Sequence, residues 1–294
     1  MVARRNGNLT AIVFLALLLC AQILSTVSCS VDIFGLFASD DFDGRFEYRN
    51  TFHLLTEEDR ALSLPAEDEY SFVVLTDTHI EDGNDQGLGE LIDFIDRDGV
   101  GTDDRFVVIT GDITQNGKQK DIECFIDFVR KLKNKKEIPC YPVLGNHDIY
   151  FNNWRNWRDL IGSSCYRIGA PESGTTLFIL DSANASFGFR QLDWLERELG
   201  KTSDHVFLFT HANFFVKDPG FADIQQFTDV RERARVISLL AGKAEAVFSG
   251  HIHKRVERES GGVKYITIED FKDNKTWCRV YVTKTGVRYE FNKL

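Results

Sequence analysis

Eight side chains that can bind metal ions follow apolar runs of strand length in this sequence. They include five of the seven histidines. The eight are Asp77, His79, Asp112, Asn146, His147, His211, His251 and His253. Because ligand sites of α/β sheets lie at the carboxyl ends of the strands, we expect these side chains to converge on one edge of a sheet.

The donor types favour first-row metals. Carboxylate and amide oxygens and imidazole nitrogens suit borderline ions such as Mn, Fe or Zn, whereas thiolates select softer ions. Eight donors are more than one ion needs. Two ions about 3.5–4 Å apart that share a carboxylate would use them, and this is the arrangement of two-metal hydrolysis. The sequence therefore predicts two divalent or trivalent metal ions as cofactors.

Three of the donor groups are preceded by glycine, at Gly111, Gly145 and Gly250. A chain that bends sharply at a strand end and approaches an ion closely favours a residue without a Cβ atom. A single Asp-x-His pair is a weak signal, since one histidine taken alone is more often structural. The ordered set, with each member after a strand, is a specific signal.

Alternating strands and helices must position these donors. The apolar runs cover residues 70–76, 105–111, 139–145, 175–181, 205–211 and 244–250. Amphipathic stretches separate them at residues 89–97, 121–135, 189–199 and 230–242. This alternation predicts an α/β core with buried, largely parallel strands.

The last forty residues have a different pattern. Residues 254–260, 261–270, 276–286 and 287–294 resemble consecutive strands. The turns between them contain Gly261-Gly262 and residues 284–286. This pattern predicts a second sheet or an antiparallel extension of the first.

The amino terminus has the layout of an export signal. Arg4 and Arg5 precede the apolar run Ala11 to Leu24, and small residues follow it. We expect a signal peptide over residues 1–29, a tether and leading segment over 30–68, and one domain over 69–294. The apolar run is shorter than the roughly 20 residues that cross a bilayer, so an uncleaved anchor is the less favoured alternative. The predicted location is the periplasm or cell envelope.

The stretch Thr26-Val27-Ser28-Cys29 also resembles a bacterial lipobox, in which the cysteine is lipidated. Thr26 stands where a lipobox usually has leucine. Plain signal cleavage and a lipoprotein anchored through Cys29 therefore stay open as alternatives.

The charge of the chain restricts its partners. Lys and Arg number 35 against 45 Asp and Glu, a net charge of −10, which becomes −12 when Arg4 and Arg5 leave with the signal. This acidity lacks the basic footprint of a nucleic-acid-binding protein, and it disfavours an anionic membrane surface. We predict no nucleic-acid partner, and membrane contact only through the signal or a lipid anchor.

Four cysteines remain outside the export segment, at irregular spacing and without a CxxC pair. They are Cys124, Cys140, Cys165 and Cys278. Four cysteines allow three full pairings, which an oxidising compartment would permit. Burial as small apolar residues is the favoured interpretation for Cys124 and Cys140.

The motif order D-x-H, G-D, G-N-H-D, H and G-H-I-H, from about residue 70 to 255, resembles the calcineurin-like metallophosphoesterases. The resemblance implies a four-layer αββα sandwich, with two mixed β-sheets flanked by helices. By position, it implies one metal held by Asp77, His79, Asp112 and His253, and another held by Asp112, Asn146, His211 and His251. Asp112 bridges the two ions in that scheme.

The same resemblance implies the chemistry. A hydroxide shared by the two metals attacks the phosphorus of a phosphodiester or phosphomonoester, and His147 helps the leaving group depart without binding a metal. Asp148 is the second catalytic candidate, because it could orient His147. It could instead cap a helix that begins near Asn152.

Two departures narrow the branch of the family. The block from Gly111 to Gly117 lacks the arginine and the second acid of protein phosphatases, with Asn116 in that region. Gln115 stands where purple acid phosphatases have a tyrosine ligand. The chain is therefore most similar to bacterial-type phosphodiesterases and phosphatases, which act on small phosphoesters.

Two further alternatives stay open. Trp154 and Trp157, with Arg155 and Arg158, follow the GNHD motif and could form a substrate wall with two cations. The favoured interpretation is an amphipathic helix that packs its tryptophans. The alternative function is an exported surface binding module that keeps the metal site for structure. The oligomeric state is open.

Overall fold

The computed structural model describes residues 42–64, 69–97, 99–202, 205–216, 227, 229–284 and 286–294. The predicted signal peptide, the alternative fates of Cys29 and the first part of the predicted tether lie outside the described residues. In the described part of the chain, no helix has both the length and the apolar character needed to cross a membrane.

The described residues form eleven strands in two sheets. The strands are β1 Tyr70–Leu75, β2 Asp104–Ile109, β3 Cys140–Pro142, β4 Tyr166–Ala170, β5 Thr175–Ile179, β6 His205–Phe209, β7 Ala246–Ser249, β8 Val256–Ser260, β9 Val263–Thr267, β10 Thr276–Thr283 and β11 Gly286–Lys293. One sheet has the order β11-β10-β1-β2-β3, and the other has the order β4-β5-β6-β7-β9-β8.

The described residues also form seven α-helices. They are α1 Phe42–Arg45, α2 Glu57–Arg60, α3 Asp85–Asp96, α4 Gln119–Lys136, α5 Trp154–Leu160, α6 Phe189–Leu199 and α7 Val230–Leu240. Short 3₁₀ helices span Phe46–Tyr48, His147–Asn152 and Pro171–Ser173. The predicted helices at 89–97, 121–135, 189–199 and 230–242 correspond to α3, α4, α6 and α7.

The core strands are parallel, as the alternating pattern predicts. β1, β2 and β3 pair in parallel, and so do β5, β6, β7 and β9. The four strands of the tail do not form a sheet of their own. β8 pairs antiparallel with β9 in the second sheet, whereas β10 crosses over and pairs antiparallel with β1 in the first. Each sheet therefore receives an antiparallel extension.

The side chains of β1 show how the layers are built. Phe72 and Val74 point into the core between the two sheets, whereas Val73 and Leu75 pack against the helices outside. A strand buried on both faces is largely apolar, which explains the apolar run from Phe72 to Leu75. A third apolar cluster packs α6 and α7 on the outer face of the second sheet. The predicted αββα sandwich is confirmed.

Residues 42–64, part of the predicted tether and leading segment, pack against this sandwich. Leu62 and Leu64 are buried in the core between the sheets, and Phe46 packs against the outer layer of the second sheet. The sequence does not predict this packing, because the apolar residues of the segment lie among charged ones without a helical or strand period.

A buried ion pair links residues 42–64 to the rest of the domain. Arg45 is 1% exposed, and its Nε and Nη2 atoms donate to the two carboxylate oxygens of Asp181 at 2.7 and 3.0 Å. This bidentate geometry is the strong form of an arginine–carboxylate contact.

Replacement of this arginine is expected to destabilise the fold strongly. Arg45→Ala leaves the Asp181 carboxylate buried without its partner, which costs about 3–5 kcal/mol of the free energy of unfolding. The matched control is Arg97→Ala, because Arg97 pairs with Asp93 on an exposed helix face, where such a pair contributes about 0.3–0.5 kcal/mol. Urea unfolding measures both. Similar small losses in the two variants would contradict a stabilising role for the segment.

The four cysteines of the domain are free. Cys140, Cys165 and Cys278 are buried, whereas Cys124 is only partly buried. The favoured interpretation of Cys140 is therefore confirmed, and that of Cys124 is confirmed in part.

Candidate metal centre

The backbone at the predicted ligands has an uncommon conformation. Five of them have φ between 45° and 74°, in the left-handed region: Asp77, His79, Asp112, His251 and His253. A residue with a Cβ atom rarely adopts this region, and holding it there costs roughly 1–3 kcal/mol. Such strain persists only where the surrounding structure imposes it, and its concentration at one edge of the sheets indicates a functional site.

The glycines beside the predicted ligands leave no room for a Cβ atom. A Cβ atom on Gly145 would lie 2.3 Å from Oδ1 of Asp112, and one on Gly250 would lie 2.4 Å from Oδ2 of Asp77. Both distances are far shorter than any allowed contact. Gly111 has a φ of 92°, which a side chain would strain.

One group of ligand atoms surrounds the ring of His211. Its Nε2 atom lies 3.0 Å from Oδ1 of Asn146, 3.2 Å from Oδ2 of Asp112 and 3.2 Å from Nδ1 of His251. Ligands bonded to one ion at about 2.0–2.2 Å have separations of this size. The other ring nitrogen, Nδ1, lies 2.9 Å from the carbonyl oxygen of Thr110 and can donate to it. That tautomer directs the Nε2 lone pair toward the group.

A second group surrounds the carboxylate of Asp77. Its Oδ1 atom lies 3.2 Å from Nε2 of His253 and 4.0 Å from Nε2 of His79. Within the described part of the chain, both ring nitrogens of His79 are buried without a hydrogen-bond partner. An unsatisfied buried polar atom costs about 1–3 kcal/mol, and a bound metal ion would remove that cost. These residues therefore fit a metal.

Asp112 belongs to more than one set of possible ligands. Its carboxylate groups with His211 and His251, and also with His79 and His147, and within each set the ligand atoms lie within 4.8 Å of one another. The set of Asp77, His79 and His253 adjoins these through His79. A carboxylate shared between sets is what a bridging ligand requires.

The protonation states suit metal binding. Burial raises the pKa of Asp112, but the charges of His211 and His147 outweigh it and hold the pKa well below the usual value. Burial lowers the pKa of His79 and of His251 to about 4. Burial also lowers the pKa of His211, yet the Asp112 carboxylate outweighs it and raises the pKa to about 9. The carboxylate is ionised and two of the imidazoles are neutral near pH 7, while a metal at His211 would displace a proton.

His147 faces the site with one ring nitrogen. Its Nδ1 lies 2.8 Å from the carbonyl oxygen of Gln115, and its Nε2 lies 3.9 Å from Oδ2 of Asp112. The side chain is 24% exposed, and its ring packs against that of Tyr150 at 4.3 Å. With Nδ1 bonded to the main chain, Nε2 is the nitrogen that can exchange a proton with a substrate. The role of His147 as an acid stays a prediction.

Asp148 supports the loops of the site. Its carboxylate accepts hydrogen bonds from the backbone N–H groups of Ile113, Thr114 and Gly145, at 3.3, 2.8 and 2.9 Å. These bonds tie the loop after β2 to the loop after β3. The capping role is wrong, because Asp148 lies within a 3₁₀ helix and α5 begins after Asn153 without a side-chain cap. We therefore regard Asp148 as a positioning residue.

The helix after this motif is not a substrate wall. Trp154 and Trp157 are buried in the apolar cluster outside the first sheet, which confirms the favoured interpretation. Arg158 donates to Oδ1 of Asp159 at 2.7 Å and lies over the ring of Tyr48, 5.5 Å from its centroid. Its guanidinium is thus engaged away from the predicted ligands, and Arg155 is exposed.

Three further residues support or adjoin the site, and none carried a sequence signal. The hydroxyl of Tyr150 accepts a hydrogen bond from the Asn146 amide nitrogen at 2.8 Å, which directs the Asn146 oxygen toward His211. A carboxylate oxygen of Asp270 lies 3.7 Å from Nδ1 of His253. Lys272 donates to the side chain of Gln115 at 3.0 Å.

Comparison with known proteins agrees with this geometry. A family model described as "Calcineurin-like phosphoesterase" matches residues 70–255, which is the interval that the five motifs span. The chain belongs to the calcineurin-like phosphoesterase family, and the predicted family is confirmed.

Two curated relatives have sequences similar to this one. A probable glycerophosphodiester phosphodiesterase of Arcobacter nitrofigilis is 30% identical over 160 residues, which cover 50% of this chain and 56% of that protein. A probable cyclic nucleotide phosphodiesterase of Fibrobacter succinogenes is 28% identical over 155 residues, 51% of this chain and 58% of that protein. The chain thus matches little more than half the length of either relative.

Solved structures confirm the fold. A dimetal phosphatase from Danio rerio aligns with a TM-score of 0.54 and 13% identity, over 76% of this chain and 98% of that chain. A purple acid phosphatase from yellow lupin seeds aligns with a TM-score of 0.61 and 11% identity, over 78% of this chain and 52% of that chain. At these identities the likeness extends to the fold alone.

Proposed function

We propose that the protein is a phosphodiesterase that works with two metal ions. The observation that carries this proposal is the position of Asp112, whose carboxylate belongs to overlapping sets of ligand atoms. Asp77, His79 and His253 would complete the site of one ion, and Asn146, His211 and His251 that of the other. When bound, two such ions supply an activated water and neutralise the non-bridging oxygens of a phosphate.

Residues of the chain would supply charge, proton transfer and positioning at the site. Ionised Asp77 and Asp112 set the charge of the site. The main-chain oxygen of Gln115 fixes the ring of His147, so that Nε2 can give a proton to the leaving oxygen. Asp148 holds the loops that carry Asp112 and Asn146 at a fixed separation. Mn, Fe or Zn would suit these donors.

A preference for diesters follows from the absence of a guanidinium at the site. A phosphomonoester is a dianion near neutral pH and gains from a bidentate guanidinium, whereas a diester carries one charge and needs less cationic help. Asn116 lies in the block where an arginine is missing, and Arg158 is held by Asp159 and Tyr48. The predicted net charge of −12 adds a mildly repulsive field.

We therefore expect kcat/KM for bis(p-nitrophenyl) phosphate to exceed that for p-nitrophenyl phosphate. Both rates are measured at one pH and with one metal, after loading with Mn²⁺, Fe²⁺ or Zn²⁺ in separate preparations. A clear preference for the monoester would contradict the diester assignment. Two tightly bound ions without turnover of either ester would favour the binding module instead.

A further inference from the structure

A lysine without a carboxylate partner lies beside the metal centre. The ammonium of Lys272 donates to Oε1 of Gln115 at 3.0 Å. No carboxylate oxygen of the described residues lies within 4.0 Å of this ammonium. Gln115 is the residue whose main-chain oxygen fixes His147, so one residue orients both the proposed acid and this cation.

The loop that carries Lys272 is fixed against β1. The backbone N–H of Lys272 donates to the carbonyl oxygen of Asp77 at 3.1 Å, and that of Phe271 donates to Thr76 at 2.9 Å. The buried carboxylate of Asp270 accepts from the N–H groups of residues 273 and 274, at 2.7 and 3.2 Å. A cation on so constrained a loop is preorganised, and little entropy is lost when it meets an anion.

A neighbouring lysine, unlike Lys272, is paired with a carboxylate. The ammonium of Lys275 lies 2.5 Å from a carboxylate oxygen of Glu90, which neutralises its charge. Both lysines line a polar cavity of about 360 Å³ that also includes His79 and Asn84. Glu90 and Asp273 line the same cavity, and of its two lysines only Lys272 has no carboxylate oxygen within 4.0 Å among the described residues.

We propose that Lys272 binds a non-bridging oxygen of the substrate phosphate, with Gln115 as its positioning residue. This inference rests on the proposed function, because it assigns a contact within the same site. An ammonium is a point charge, so it attracts the anion without the bidentate geometry of a guanidinium. Since Coulomb energy scales with the charge of the ligand, the contact favours a dianion over a monoanion.

The test compares Lys272→Met with Lys272→Arg in metal-loaded protein. Calorimetric titration with inorganic phosphate should show the dissociation constant rising about 10–100-fold in Lys272→Met, the equivalent of one hydrogen bond to a charged group. Lys272→Arg should keep most of the affinity. In Lys272→Met, kcat/KM should fall more for p-nitrophenyl phosphate than for bis(p-nitrophenyl) phosphate, with metal content unchanged.

Two further variants separate a direct contact from a general field. Lys118→Met makes the same change in charge, because Lys118 is an exposed lysine three residues after Gln115 that lies 3.9 Å from Glu81. It should leave phosphate affinity and both rates near those of the wild-type protein. Gln115→Ala keeps the cation but removes its support, so it should weaken phosphate binding by less than Lys272→Met.

The outcomes distinguish this inference from the proposed function. Wild-type phosphate affinity in Lys272→Met, an equal loss in Lys118→Met, or no phosphate binding by the wild-type protein overturns the assignment of Lys272. Wild-type protein that binds metals and phosphate but cleaves neither ester refutes the proposed function, while the titrations still test the contact.

Discussion

Asp112→Asn is expected to weaken both metal sites at once. A neutral amide cannot neutralise two ions as a shared carboxylate does. Its N–H groups would also face a hydrogen-bond donor or a metal-binding nitrogen. One Asp112 oxygen lies 3.2 Å from His211, and the other accepts the backbone N–H of His147 at 2.8 Å. The fall in metal affinity should exceed the roughly 10–100-fold that loss of an outer-shell partner costs.

Elemental analysis after dialysis against a defined free metal concentration measures this loss. The matched control is Asp77→Asn, which makes the same chemical change at a carboxylate proposed to hold one ion only. That control should keep one of the two ions, whereas Asp112→Asn should keep neither, and turnover of the diester should fall with the metal content. Two ions bound to Asp112→Asn with wild-type affinity would refute Asp112 as the bridge.

The sequence predicts the sheet edge at which each donor lies, because a donor's place after a strand decides it, whereas the approach of the two sheets is a tertiary feature. The strands ending at Leu75, Ile109 and Phe209 each close with four apolar residues, as strands buried on both faces do. A donor that follows such a run lies at the carboxyl end of a parallel strand, and such ends share an edge within each sheet. The glycines carry similar information, since Gly145 and Gly250 leave no room for a side chain.

Other features depend on tertiary contacts that the sequence does not encode locally. An aspartate before a helix commonly caps it, so the sequence alone allows a capping role for Asp148. In the structure, its carboxylate is drawn instead to unpaired N–H groups of a loop about 35 residues away in sequence. Lys272 has no motif, because its position depends on the crossover from β9 to β10. The packing of Arg45 has no local sequence signal, because its partner, Asp181, is 136 residues away.

Removal of the proposed acid should lower the rate without releasing the metals. His147→Ala is expected to reduce kcat for the diester by about 10²–10⁴-fold, the usual contribution of a positioned general acid. The ring nitrogen that faces the site is Nε2, since Nδ1 is bonded to Gln115. Metal content should stay near that of the wild-type protein, because the proposed ligand sets are complete without His147.

The effect of the leaving group on the rate of His147→Ala tests whether His147 acts as a proton donor. A p-nitrophenolate departs readily without a proton, whereas an alkoxide requires one, so His147→Ala should slow the cleavage of an alkyl diester more than that of bis(p-nitrophenyl) phosphate. His53→Ala is the matched control, because His53 is an exposed histidine outside the site and its loss should leave both rates unchanged. Equal slowing of the two esters, with metals retained, would assign His147 to substrate positioning. Loss of metal would instead make His147 a ligand, which the set that it forms with His79 and Asp112 allows geometrically.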